Sequence, residues 1–312
     1  MRALVTGGAG FIGSSIASAL VRRGDDVRVL DSFLSGFREN VPESTELVEG
    51  DLRDPEAVRS ATKDIEVVFH QAAIRSVPRS IDDPFASNTS NVNGTLQLLE
   101  AARQAGVRRV VYASSSSVYG DSADPLRSED QRPDPVSPYG VSKLAAEMYC
   151  RVWTVVHALS TVSLRYFNVF GPRQHPESQY SAVFPAFVSA LVEGRPPEVH
   201  WDGEQSRDFT FIDDVVAANL LAAEAGPAVD GAVINIGAGR PKTVNEVLRS
   251  VATAAGRWTE PVRLPKRPGD VRDTLADVSR ARDLLGWEAK ADWDASVHET
   301  VAWFATRAGT SH

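Results

Sequence analysis

A tyrosine and a lysine four residues apart, in Ser137-Pro-Tyr139-Gly-Val-Ser-Lys143, are the groups best placed to do chemistry. On a helix they lie one turn apart on one face. Ser137 and Pro138 supply an N-cap and a preset first turn, so a helix is expected to begin just before Tyr139. The charge of Lys143 would favour the phenolate and lower the tyrosine's pKa towards working pH, which is general-base chemistry. Upstream, Ser114 to Ser117 end an apolar stretch and offer hydroxyls to a substrate hydroxyl beside Tyr139.

The elements that must position these groups are strands alternating with helices. A short apolar strand, 2–6, runs into Gly7-Gly-Ala-Gly10-Phe-Ile-Gly13 and then a helical pattern over 12–23. Glycines at this spacing allow a tight turn and let a helix N-terminus approach a pyrophosphate. The next strand, 26–30, ends in Asp31. An acid there binds both ribose hydroxyls of NAD and repels the 2′-phosphate of NADP. Further strands are expected at 46–50, 65–69, 109–113 and 161–166, with helices at 92–105 and 139–158. The alternation predicts an α/β fold, a doubly wound parallel sheet with ligands at the carboxyl ends of its strands. Asp51, His70 to Ala73 and Ser114 to Ser117 all fall at such ends. Six strands would complete the sheet. His70 reads as a packing or hydrogen-bonding residue.

At 312 residues the chain suits two domains, or one large domain with an appendage. The expected division is 1–170 and 171–312, with segments near 209–238 returning to the first part. After Gly171-Pro-Arg173 the pattern turns to loops and short elements. Arg207-Asp-Phe209 and residues 263–270 set positive charge among aromatics, which suits a nucleoside diphosphate. Helical patterns at 213–225, 244–255 and 295–305 read as core packing. A net charge of -8 argues against a nucleic-acid partner. No apolar run is long enough for a membrane span and no signal-peptide pattern opens the chain, so the cytoplasm is expected. The single cysteine, Cys150, reads as a small apolar residue, and no spacing of His, Cys or Asp suggests a metal site.

Taken together, the motifs resemble the extended short-chain dehydrogenase/reductase family, in its nucleotide-sugar epimerase branch. The resemblance covers nearly the whole chain: Thr6 to Gly13, Gly50-Asp-Leu52, His70-Gln-Ala-Ala73, Asp83-Pro84, Asn91-Val-Asn-Gly-Thr95, Ser114 to Gly120, Tyr139 to Lys143, Arg165-Tyr-Phe-Asn168, Gln205 to Phe209 and Arg267-Pro-Gly-Asp270. It implies a Rossmann-type sheet holding NAD, a smaller C-terminal substrate domain, and a UDP-sugar between them. It also implies a homodimer packed through the 91–105 and 139–158 helices.

By position, the resemblance makes Tyr139 the catalytic base, Lys143 its tuner and nicotinamide-ribose ligand, and Ser115 the partner of sugar O4. It assigns NAD to Gly7, Gly10, Phe11, Ile12, Gly13, Asp31, Ser35, Asp51, Leu52, Gln71, Ala72, Ala73, Arg75, Ser114 and Tyr166. The UDP-sugar falls to Ser76, Ser116, Ser117, Asn168, Ala182, Val183, His200, Arg207, Arg267, Asp270 and Thr274. The implied reaction is 4-epimerisation through a 4-keto sugar.

Related dehydratases and decarboxylases carry an acid just after the serine or threonine, whereas Ser116 and Ser117 stand there. A non-catalytic NAD-binding relative would tolerate loss of Ser115, Tyr139 or Lys143, and all three are present. The small Thr274 at the expected pocket gate favours UDP-glucose/galactose together with UDP-GlcNAc/GalNAc. The hydroxyl cluster at 115–117 keeps UDP-glucuronate as the alternative. One position departs from the pattern. Trp201 precedes Asp202-Gly203, beside the expected uracil pocket, where relatives usually have glycine.

Overall fold

The computed structural model describes residues 1–175, 183–266 and 271–308. Its centre is a sheet of seven strands: β1 (Arg2–Thr6), β2 (Asp26–Asp31), β3 (Glu46–Glu49), β4 (Val67–His70), β5 (Arg109–Ser115), β6 (Ser160–Tyr166) and β7 (Ala232–Ile236). Their spatial order is β7-β6-β5-β4-β1-β2-β3, and every neighbouring pair is parallel. The strand order reverses between β1 and β4, which opens a crevice above their carboxyl ends.

Alternation along β1 shows why the sheet is covered on both faces. Ala3 and Val5 join one core cluster, while Leu4 joins another with Leu98, Leu99 and Cys150. All three β1 side chains are fully buried. The expected six strands are corrected to seven. After β6 the chain makes a long excursion, packs the helix Ile212–Glu224 against the helix Phe11–Arg23, and returns as β7. Ile234 and Ile236 are fully buried there, so β7 covers an edge that β6 would otherwise expose.

The excursion and the C-terminal part build smaller sheets: Asn168–Phe170, Ser206–Phe211 and Pro241–Thr243 in one, Glu198–His200 with Val262–Leu264 in another. Helices Val183–Val192, Val244–Ala255 and Trp293–Ala308 pack on one another around an aromatic cluster. Phe170 and Phe184 stack at 4.1 Å there, with Phe209 and Trp293 at their edges. Thr243 and Glu246 close a reciprocal capping box that starts the Val244–Ala255 helix. Among the described residues, no helix is long and apolar enough to cross a membrane.

Candidate active site

The turn after β1 is held by backbone contacts that exclude side chains. Gly7 adopts φ +70° and its N–H donates to Leu30 O at 2.8 Å, while Gly10 N donates to Gly7 O at 3.0 Å. A Cβ on Gly13 would lie 2.1 Å from Gly7 O, and one on Gly7 2.7 Å from Ala72 N. Gly10 is the N-cap of Phe11–Arg23, with no side-chain cap and no acid in the first turn. Phe11 is buried and Ile12 partly buried beneath this end. The result is a bare helix terminus and an open backbone cradle, the arrangement a pyrophosphate needs.

Asp31 belongs to the same construction. Its Oδ2 accepts from Ala9 N at 2.9 Å and its Oδ1 from Phe33 N at 2.8 Å. Ser35 lies exposed in the following turn. Asp51 accepts both Arg53 Nε at 2.9 Å and Nη2 at 2.8 Å, and this ion pair holds its carboxyl below the usual range. Leu52 is buried, and a Cβ on Gly94 would meet its Cβ at 2.8 Å.

His70 is a neutral strut. Thr95 Oγ1 donates to Asn91 O at 2.6 Å, so it accepts from His70 Nε2–H at 2.9 Å. His70 Nδ1 is then an acceptor, taking the Thr6 hydroxyl at 2.7 Å. Thr6 Oγ1 in turn accepts from Ala72 N at 3.3 Å. Burial, with the Lys143 charge nearby, pushes His70 down to about 3. Ala73 follows, partly buried. Asn91 clamps Ile74 through both N–H and C=O and donates to Ser142 Oγ at 3.0 Å. Gln71 Nε2 donates to Tyr166 Oη at 3.2 Å, and that hydroxyl donates to Asn219 Oδ1 at 2.9 Å.

The Pro138–His157 helix begins as its sequence requires. Ser137 Oγ accepts from Gly140 N at 3.1 Å, Pro138 follows the cap, and Ser80 Oγ accepts the otherwise orphan Tyr139 N–H at 3.0 Å. Ser142 Oγ donates to Tyr139 O at 2.8 Å. Ser115 is set against the Tyr139 phenol and favours its ionised form, and the Ser115 Oγ accepts Ser117 N at 3.1 Å. Ser116 and Ser117 open the 3-10 turn Ser116–Tyr119 and are partly buried.

One expectation is overturned here. Tyr139 is raised, not lowered: desolvation pushes it up, and Ser115 and the Arg75 charge oppose that only in part. Lys143 turns its ammonium to Ala113 O, at 2.8 Å, and keeps it 6.0 Å from the Tyr139 ring centroid. Burial brings Lys143 itself down to about 8. Next to Arg75, Ser76 holds φ +122°, a conformation that favours glycine, and its Oγ accepts Arg79 N at 3.3 Å. The Ser114 hydroxyl points to the Pro138–His157 helix, donating to Glu147 Oε2 at 2.7 Å.

Across the crevice, Asn168 begins the strand beside Phe209, and Val183 begins its helix. Arg207 Nη1 donates to Ser206 O at 2.7 Å and Arg272 O at 3.1 Å, and Thr274 N donates to Ser206 O at 3.3 Å. His200 Nδ1 donates to Pro265 O at 3.1 Å, leaving a buried Nε2 without a partner. Ala182, Arg267 and Asp270 lie outside the described residues. Trp201 has φ +62°, a conformation suited to glycine, and its ring sits 4.2 Å from Lys266 Nζ and 4.7 Å from the Arg272 guanidinium. Glu147, Ser80 and Ser142 support the site without belonging to a motif that marks them, Glu147 standing only four residues beyond Lys143.

The arrangement can hold a dinucleotide at the glycine turn and deliver a proton-transfer pair, Tyr139 and Ser115, to a hydroxyl above the sheet. Residues 3–237 match the NAD dependent epimerase/dehydratase family. The chain is 40% identical to the UDP-glucose 4-epimerase of Mycolicibacterium smegmatis over 98% of this chain and 99% of that protein. It superposes on the Thermotoga maritima UDP-glucose 4-epimerase with UDP-glucose at a TM-score of 0.94, with 37% identity, covering 99% and 100% of the two chains. Against the Thermus thermophilus UDP-glucose 4-epimerase complex with NAD the TM-score is 0.91, at 39% identity and 97% and 99% coverage. The glycine turn, Asp31 and Tyr139 therefore stand in a chain that belongs to the NAD dependent epimerase/dehydratase family.

Proposed function

We propose that this enzyme inverts C4 of a UDP-hexose, with UDP-glucose/galactose and UDP-GlcNAc/GalNAc as the preferred pairs. The observation that carries the reading is Ser115 set against the buried Tyr139 phenol, followed by Ser116 and Ser117 where no carboxylate stands. A dehydratase or decarboxylase needs a further acid or base beside the reacting carbon, and these serines supply neither.

NAD, when bound, supplies the hydride chemistry at C4. The cradle from Gly7 to Gly13 suits its pyrophosphate and Asp31 its adenosine ribose, and Phe11, Ile12, Ser35, Asp51, Leu52, Gln71 to Ala73, Arg75, Ser114 and Tyr166 complete the set assigned to it. Tyr139 takes the O4 proton and returns one to the other face, Ser115 holds O4, and Lys143 serves the nicotinamide ribose. Asn168, Arg207, Arg267 and Asp270 hold the diphosphate and ribose. Ser76, Ala182, Val183, His200 and Thr274 shape the sugar and base sites. Anchoring the nucleotide while leaving the hexose loosely held lets the 4-keto sugar turn over.

UDP-glucuronate is the second reading, because the hydroxyls at 115–117 suit a carboxylate. Assaying purified enzyme separately with UDP-galactose, UDP-GalNAc and UDP-glucuronate tests the ranking. Turnover of the first two is expected, and turnover of UDP-glucuronate alone would overturn it.

The enzyme is read as a cytoplasmic homodimer. One face of Pro138–His157 buries Gly140, Ser142, Lys143, Ala146, Glu147 and Cys150, while the other exposes Val141, Met148, Val152, Val155 and Val156. A solvent-facing stripe of this kind suits the same helix of a second copy. Sedimentation as a monomer at micromolar concentration would exclude it.

A further inference from the structure

Beneath the tyrosine lies a charged cluster that proton transfer at O4 does not use. Glu147 stands one helical turn beyond Lys143 and two beyond Tyr139, on the same stripe of Pro138–His157. Its Oε1 accepts Arg165 Nη2 at 2.6 Å, and its Oε2 accepts Arg165 Nε at 3.0 Å and Ser114 Oγ at 2.7 Å. All three residues are buried: Glu147 is 4% exposed, Arg165 2% and Ser114 3%. The Arg165 guanidinium also lies 4.7 Å from the centroid of Tyr119, whose hydroxyl donates to Asn235 Oδ1 at 2.6 Å on β7.

The strand register gives this cluster its meaning. Ser114 pairs with Arg165, and Ser115 pairs with Tyr166, across β5 and β6. A single carboxylate therefore grips the residue before Ser115 on one strand and the residue before Tyr166 on the next. As a source of stability the pair is poor, since a buried ion pair is often matched by apolar side chains of similar volume. A bidentate carboxylate–guanidinium pair does supply what apolar packing lacks, a fixed geometry.

We propose that Glu147 is a positioning residue. It locks the helix of Tyr139 and Lys143 to the carboxyl ends of β5 and β6, and so keeps the Tyr139 phenol set against Ser115. The assignment rests on reading Tyr139 as the base for C4 inversion.

The test uses full-length enzyme with NAD and whichever UDP-hexose the wild type turns over. Absence of wild-type turnover on every UDP-hexose removes the reading of Tyr139 and the positioning role with it. With an active wild type, Glu147→Gln is expected to lower kcat by about 10²-fold, the effect of a displacement of about 1 Å, with KM and bound NAD little changed. It also lowers Tm, because Arg165 is left buried and uncompensated. The double variant Glu147→Gln/Arg165→Met removes both charges, and its Tm should recover while kcat stays low. Should the single variant not fold, the kcat of the double variant decides. A Glu147→Gln enzyme with wild-type kcat, or a double variant that recovers kcat along with Tm, would overturn the positioning role.

Discussion

A Cβ added to Gly140 would lie 2.7 Å from the carbonyl oxygen of Ser117. The helix that carries Tyr139 thus rests its backbone directly on the serine turn, and this contact sets the distance between the two halves of the proton-transfer pair. Gly140→Ala is expected to destabilise the protein by about 1–3 kcal/mol, since the obstructing atom is backbone and the strain outweighs alanine's helix preference of about 1 kcal/mol. It should lower kcat while NAD stays bound. Denaturant unfolding and steady-state kinetics check both outcomes; unchanged kcat would mean the contact is not critical.

The cofactor turn makes a sharper steric demand. At Gly13 the added carbon would sit 2.1 Å from Gly7 O, whereas at Gly24, with φ +88°, it would meet nothing within 4 Å. Gly13→Ala should abolish NAD binding, measured as NAD content after desalting. Gly24→Ala should be destabilised by about 1 kcal/mol through its backbone alone and keep NAD. Equal NAD retention in the two variants would contradict the cradle.

Acid stability depends on His70. Its folded pKa lies near 3 because of burial and the Lys143 charge, against 6.5 unperturbed. Between those values the unfolded chain binds a proton that the folded chain refuses, so stability falls as pH drops from about 6.5 towards 3, by about 1.4 kcal/mol per pH unit. Above 6.5 this contribution is complete and flat. His70→Gln, which keeps a hydrogen-bonding side chain, should show a shallower decline of Tm from pH 7 to pH 5. An identical slope would place the effect in other groups.

The acidity of Tyr139 is set by Ser115 and Arg75 against desolvation. Removing either helper, in Ser115→Ala or Arg75→Gln, should move the ascending limb of the kcat/KM–pH profile to higher pH. A limb that stays in place would mean that another group titrates there.

The glycine turn, Asp31 and the capped start of the Tyr139 helix were legible because local chemistry forces them. Left-handed φ at Gly7, Pro138 after the cap, and an acid at the end of β2 each have few alternative explanations. The direction of the Tyr139 shift was not legible. Spacing places Lys143 one turn from Tyr139, but only tertiary packing turns its ammonium to Ala113 O and makes desolvation dominate the phenol. Strand β7 was hidden for a related reason, since its pairing with β6 spans a long excursion that no local pattern encodes. Glu147 carries no local mark, because Arg165 and Ser114 converge on it only in the folded chain. Trp201 shows the reverse case. The left-handed backbone there explains why glycine would suit, and two cations on its ring offset the strain, at about 0.5–1 kcal/mol each.

The most direct measurement is the rate at which wild-type and Tyr139→Phe enzymes, both with NAD bound, interconvert UDP-galactose and UDP-glucose, followed by the ratio of C4 epimers. The wild type is expected to bring either sugar to the same equilibrium mixture, and Tyr139→Phe to be slower by about 10²–10⁴-fold, the usual worth of a positioned acid–base group. Full turnover by Tyr139→Phe would contradict the assignment of Tyr139 as the group that moves the O4 proton.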